Sequence, residues 1–137
     1  MSQHIYLLDS SIWIRVLRAA LPPAMGDRVT ALLGRRIVAI NGVIKLEILS
    51  GARTEKEFRD YSARFDALHQ FEIRAETWSR AGRLGYDLRR RGLTGSTVDL
   101  IIAASAIEHD AVLLHADADF DRIADNSGLQ TESFVAA

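Results

Sequence analysis

His4-Ile-Tyr-Leu-Leu-Asp-Ser-Ser-Ile-Trp13 is the stretch that decides the fold. Ile5 to Leu8 form a nearly continuous apolar run without alternation. A strand of that kind is buried on both faces, as in a parallel sheet covered by helices. Asp9 then falls at the carboxyl end of the strand. Ser10 and Ser11 follow, and Ile12, Trp13, Val16, Leu17 and Ala20 recur at helical spacing over 11–20. In open parallel α/β sheets that edge is where ligands bind. Asp9 or Ser10 could equally serve only as the cap of the following helix.

The pattern recurs along the chain. Residues 36–40, Arg-Ile-Val-Ala-Ile, form a second buried strand ended by Asn41-Gly42, with a helix over 43–52 after it. Ala111 to Leu114 form a third, followed by a helix over 118–125 with Phe120 and Ile123 inward. Between them, Pro22-Pro23 separates the first helix from a second that carries Met25, Val29, Leu32 and Leu33. Residues 54–68 form an amphipathic outer helix with Phe58, Tyr61, Phe65 and Leu68, and 71–73 a short strand. Residues 75–91 form a helix with Trp78, Ala81, Leu84, Gly85 and Leu88 inward. A Gly-Leu-Thr-Gly loop leads into another helix through Ala106, and 129–135 supply an edge strand. Strands alternating with helices give an α/β fold with a central parallel sheet covered by helices, formed as a single domain over 1–137.

Bulk properties narrow the function classes. The chain has 137 residues, 48% hydrophobic and 26% charged, which is ordinary for a globular protein and excludes disorder. The absence of cysteine excludes disulfides and thiolate zinc sites and points to the cytosol. No signal peptide is visible, and no apolar run reaches the roughly 18 residues of a membrane span. A net charge of −1 at first argues against a nucleic-acid partner. The distribution modifies that: 15 of the 17 basic residues are Arg, and five lie between Arg80 and Arg91. Arg80, Arg83 and Arg90 share one helical face, suited to phosphate contacts or simply to solvent.

Four acids stand where such a fold brings residues together. Asp9 and Asp117 end or follow apolar strands, Asp99 opens a helix, and Glu47 faces Val43 and Ile44 on a helix that follows a strand. Each has a local alternative. Ser96-Thr97-Val98-Asp99 has capping-box spacing, Asp117 or Asp119 can cap a helix, and Glu47 can pair with Lys45 or Arg53. Jointly, four carboxylates at one sheet edge would raise one another's pKa values and destabilise the fold without a cation. The only lysines are Lys45 and Lys56. A hard divalent ion, Mg²⁺ or Mn²⁺, takes oxygen ligands and stabilises charge developing on phosphoryl oxygens. The pattern therefore points to metal-dependent phosphodiester hydrolysis.

With Leu-Leu-Asp-Ser-Ser-Ile-Trp-Ile at 7–14, Leu-Glu-Ile-Leu-Ser-Gly-Ala at 46–52, Gly-Ser-Thr-Val-Asp-Leu-Ile-Ile-Ala-Ala-Ser-Ala at 95–106 and Leu-Leu-His-Ala-Asp-Ala-Asp-Phe-Asp-Arg-Ile-Ala at 113–124, the sequence resembles PIN-domain ribonucleases, specifically the VapC-type toxins of toxin–antitoxin modules. The resemblance spans nearly the whole chain and implies a three-layer α/β/α sandwich around the central parallel sheet. It implies an endoribonuclease in which Asp9, Glu47, Asp99 and Asp117 form the catalytic and metal-binding site, Asp9 and Asp99 foremost. It implies that Ser11 steadies the site and that Asp119 is a second, less critical acid. His115 departs from the Thr or Ser of many members, and also invites comparison with a metal ligand or a hydrogen-bonded structural histidine. The implied products are a 5′-phosphate and a 3′-hydroxyl. The implied partners are an RNA substrate (tRNA, rRNA or mRNA), a VapB-like antitoxin on residues 11–33 and 54–68, and a second copy in a homodimer.

Other readings remain. A PIN nuclease of RNA maturation would share all these residues. An aspartyl-phosphate enzyme calls for D-x-D after the first strand, where this chain has Asp9-Ser10-Ser11. A receiver-like signalling module needs a late lysine, and none follows Lys56. A non-catalytic binding scaffold does not need four intact acids.

Overall fold

The computed structural model describes residues 4–135. In chain order it runs β1 (Tyr6–Leu8), α1 (Ser10–Leu17), α2 (Pro23–Gly34), β2 (Val38–Asn41), α3 (Gly42–Ser50), α4 (Glu55–Asp66), β3 (His69–Phe71), α5 (Ala75–Arg90), α6 (Thr97–Glu108), β4 (Val112–His115), α7 (Ala118–Asp125) and β5 (Gln130–Ser133). The five strands form one sheet in the order β3-β2-β1-β4-β5, every neighbouring pair parallel. All four residues of β2 are buried, as are Leu7, Leu8, Leu113 and Leu114, so helices cover both faces.

The strand order places a topological switch at β1. The chain builds outward through β2 and β3, then returns to lay β4 and β5 on the other side of β1. Tyr6 pairs with Val38 on one side and with Val112 on the other, and Leu8 pairs with Leu114. One residue on, the Asp9 amide donates to the Leu114 carbonyl at 3.0 Å, so β1 and β4 are still joined where their carboxyl ends open. That crevice is where open α/β sheets bind ligands.

Helices α5 and α6 run antiparallel, with Gly85 against Leu100 and Thr77 donating to Glu108 at 2.7 Å. A Cβ on Gly85 would come within 2.9 Å of Leu100 Cδ1, so this close approach depends on glycine. Four helices end in the same way. After α1, α2, α5 and α6 the chain enters left-handed backbone at Ala19, Arg36, Gly92 and Asp110, and each following amide reaches back five residues, as from Ala20 to the Arg15 carbonyl at 2.9 Å.

Several sequence expectations need correction. The first helix stops at Leu17, short of residue 20, because the left-handed Ala19 closes it. The short strand is His69–Phe71 and not 71–73, since its register is set by Asn41 pairing with Phe71. Trp78 does not point inward. It is 54% exposed, and the buried positions of α5 are Thr77, Ala81, Leu84 and Leu88. Phe58 is 46% exposed on α4, where Phe65 alone is fully buried.

Candidate active site

The carboxylates at this edge are placed mainly by helix starts. Asp9 is the N-cap of α1: its Oδ2 accepts from the Ser11 hydroxyl at 2.7 Å and, more loosely, from the Ser11 amide at 3.4 Å. Asp9 is buried, so this serine contact replaces lost water. Asp117 is the N-cap of α7, its Oδ1 accepting from the Asp119 amide at 2.9 Å. In each case one oxygen serves the cap and the other is left for a ligand. Both carboxylates stand at the amino-terminal ends of their helices.

Asp99 resolves differently from its sequence spacing. Ser96 caps α6 by accepting from the Asp99 amide at 3.1 Å. The reciprocal bond from the Asp99 carboxylate to the Ser96 amide is absent, so the Asp99 side chain is free to join the edge. Carboxylate oxygens of Asp99, Asp117 and Asp119 lie within 4.8 Å of one another. The Asp99 carboxyl is held above its usual range, first by burial, then by the charges of Asp117 and Asp9, with Glu47 adding to them and the Ser96 hydroxyl opposing. Glu47 is also raised, by partial burial and by Asp9, while the Ser10 hydroxyl pulls it back. It pairs with neither Lys45, which bonds Gln70, nor Arg53, which pairs with Glu57.

Asp9, Glu47 and Asp117 each act on Asp99, and Asp9 on Glu47, with no lysine or arginine among the groups acting on either; of the four, Asp99 and Asp117 share the tight group with Asp119, and Asp9 and Glu47 stand outside it. Asp119 lies nearer the centre than its secondary place in the sequence reading suggested, although it also pairs with Arg122 one turn on. His115 is fully buried at the end of β4, and its Nδ1 accepts from the Asp117 amide at 3.2 Å. That nitrogen is thus occupied and is not a metal ligand. Burial keeps the ring below its usual pKa and so neutral, against the opposing pull of Asp121, Asp9 and Asp117.

A profile of the PIN domain matches residues 6–126. Ribonuclease VapC51 of Mycobacterium tuberculosis is 35% identical over 133 residues, 96% of this chain and 94% of that protein. Ribonuclease VapC18 of the same organism is 30% identical over 135 residues, 96% of each chain. The chain is a VapC-type ribonuclease of the PIN-domain family. The fold agrees: a chain from the crystal structure of VapBC2 from Rickettsia felis bound to a DNA fragment from their promoter superposes with a TM-score of 0.77 at 22% identity, covering 95% of this chain and 98% of that one.

The arginines of this VapC ribonuclease divide into two groups. Arg83 and Arg90 both stand over the exposed ring of Tyr86, at 5.4 and 5.5 Å from its centre. Because α5 is antiparallel to α6, they lie alongside the start of α6, the end that carries Asp99. Arg80 lines a cavity of about 820 Å³ with Leu84, Ile107 and Asn126–Gly128, and Arg83 borders that cavity as well. None of the four acids borders that cavity, and Ile107 is two helical turns from Asp99, about 12 Å along the axis. Tyr86 was not singled out from sequence; its signal was an aromatic three residues after one Arg and four before another.

Proposed function

We propose that this VapC ribonuclease cuts RNA at the centre formed by Asp9, Glu47, Asp99 and Asp117, with Mg²⁺ or Mn²⁺ bound there, and that a small cognate antitoxin silences it. The observation that carries the reading is the group Asp99, Asp117 and Asp119, whose carboxylate oxygens lie within 4.8 Å of one another. An all-oxygen donor set with excess negative charge fits a hard divalent ion. Asp99, Asp117 and Asp119 would hold it, with Asp9 beside them. When bound, the ion supplies positive charge against which water ionises more readily and phosphoryl oxygens accumulate charge.

The remaining chemistry belongs to the chain. Glu47, its carboxyl held above the usual range by burial and by Asp9, is suited to take a proton from water at its carboxylate as the water attacks phosphorus in line. The bond to the 3′ oxygen breaks opposite, leaving a 5′-phosphate and a 3′-hydroxyl. Ser11 fixes the Asp9 carboxylate and keeps it from turning away. Arg83, Arg90 and Tyr86 would receive the RNA backbone and a base next to the cut, with Arg80 farther along the strand. Single-stranded or looped RNA suits such a surface.

Two exposed apolar patches suit protein partners. Ile14, Leu46 and Phe58, at 38%, 69% and 46% exposure on α1, α3 and α4, would be covered by the antitoxin. Trp78 and Val98, on the α5–α6 side, suit a second copy of the chain. The test combines purified protein, a defined RNA and end mapping. Cleavage should vanish in EDTA, return with Mg²⁺ or Mn²⁺, and be lost in Asp99→Asn and Asp9→Asn. Wild-type cleavage by either variant would refute the site. Expression with and without the gene of a candidate antitoxin tests the silencing.

A further inference from the structure

We infer that His115 is a positioning residue for Asp117, acting as an Nε2-protonated imidazole whose bare Nδ1 holds the Asp117 amide and so sets the direction of the Asp117 carboxylate. The inference rests on the reading above that Asp117 holds the cation. His115 is 0% exposed and closes β4, with its own carbonyl taken by the Phe134 amide at 2.8 Å. The backbone then has two residues in which to leave the strand and cap α7. The Asp117 amide donates to Nδ1 at 3.2 Å, and an amide can only donate, so Nδ1 carries no proton. The reversed ring would set a carbon-bound hydrogen against that amide, which excludes it.

The other ring nitrogen must then bear the proton. Nε2 lies 3.3 Å from Asp121 Oδ1, in electrostatic contact though not aligned as a hydrogen bond. Asp121 is in turn held by the Ser133 hydroxyl of β5 at 3.3 Å, and Phe120 packs against the ring at 5.3 Å. Asp117 is thus held at both ends: its amide by His115 and its Oδ1 by the Asp119 amide. So held, Asp117 stands within the group it makes with Asp99 and Asp119. A Thr or Ser hydroxyl here could rotate between donor and acceptor roles; an imidazole of fixed tautomer cannot.

The test needs two measurements. In metal-free, ¹⁵N-labelled wild-type protein at neutral pH, His115 should show a bare Nδ1 coupled to the Asp117 amide and a protonated Nε2. A protonated Nδ1 would overturn the inference, whatever the variants do. By calorimetry with Mn²⁺ alone, His115→Leu should bind about 10–100-fold more weakly, the range for loss of an outer-shell partner. His115→Asn, which keeps an acceptor at the Nδ1 position, should stay within about threefold, less than one net hydrogen bond. Equal Mn²⁺ affinity in His115→Leu and wild type, or equal losses in both variants, would reduce His115 to a packing residue. If wild type itself binds no Mn²⁺, the metal reading fails, and the tautomer measurement still decides how Asp117 is held.

Discussion

Asp99→Asn should make the metal-free protein more stable while removing its cleavage activity. Two unit charges 4.8 Å apart, the outer separation within the Asp99, Asp117 and Asp119 group, repel by about 3.5 kcal/mol at an effective dielectric near 20 and by about 0.9 kcal/mol in bulk water. Asp99 is half-buried, which places each pair between these limits. Asp119 contributes less because Arg122 offsets it. Against the relief stands the loss of a carboxylate in the first turn of α6, worth about 0.3–1 kcal/mol. A net gain of about 1–2 kcal/mol remains, or roughly 3–10 °C in Tm for a chain of this size. The sign with pH follows from the raised Asp99 carboxyl. The folded state binds its proton more tightly than the unfolded state does, so the penalty is absent below the ordinary Asp range. It grows as pH rises through the folded value and is complete above it. Thermal melts in EDTA at pH near 7.5 should therefore favour the variant, and melts near pH 3 should not. Mn²⁺ should reverse the order, since ligand at about 100 times its Kd adds about 2.7 kcal/mol to wild type alone. A metal-free variant melting at or below wild type at pH 7.5 would mean that the carboxylates do not oppose one another, and the cation argument would collapse.

Arg28 joins three elements, donating to both oxygens of Glu132 at 2.8 and 2.9 Å and to the Tyr6 hydroxyl at 2.9 Å, with its guanidinium 5.1 Å from the Tyr6 ring centre. Arg28→Met should cost about 1–2 kcal/mol in urea unfolding, partial exposure keeping the figure low; no change in midpoint would remove the pair from the list of stabilising contacts. Ala19→Gly should raise stability by about 0.5–1 kcal/mol, because φ is +52° there and glycine adopts that backbone without strain; a lower melting point would show that the Ala19 methyl contributes packing instead. Ile14→Glu with Phe58→Glu should abolish co-purification with the antitoxin, and retention of the complex would place the antitoxin elsewhere.

The core of the fold was legible because burial on two faces leaves an unmistakable mark. Ile5–Leu8, Ile37–Ile40 and Ala111–Leu114 are apolar without alternation, and each became or bordered a central strand. Helix ends were less legible. Of the four left-handed closures only Gly92 uses glycine; Ala19, Arg36 and Asp110 give no local signal, and the first helix was accordingly read too long. The inward assignment of Trp78 failed for a different reason. Size and hydrophobicity mark a residue for burial, but α5 meets α6 through Thr77, Ala81 and Leu84, small or slim side chains that permit the close approach at Gly85. Its place in the first turn of α7, two residues beyond the Asp117 cap, brought Asp119 into the central acidic group.

The choice between capping and chemistry, open at each acid in the sequence, turns out to be no choice at two of them. Capping needs one carboxylate oxygen and a fixed backbone; a cation needs the other oxygen and the same fixed backbone. Asp9 gives Oδ2 to Ser11, and Asp117 gives Oδ1 to the Asp119 amide, so each is oriented by the bonds that start its helix. Asp99 is the complementary case, where Ser96 takes over the capping and leaves the carboxylate uncommitted. A substitution that keeps the cap and removes the charge, Asp117→Asn, therefore separates the two roles: α7 and the melting curve should survive, and Mn²⁺ binding should not. Loss of both together would show that the carboxylate's place at this edge is structural only.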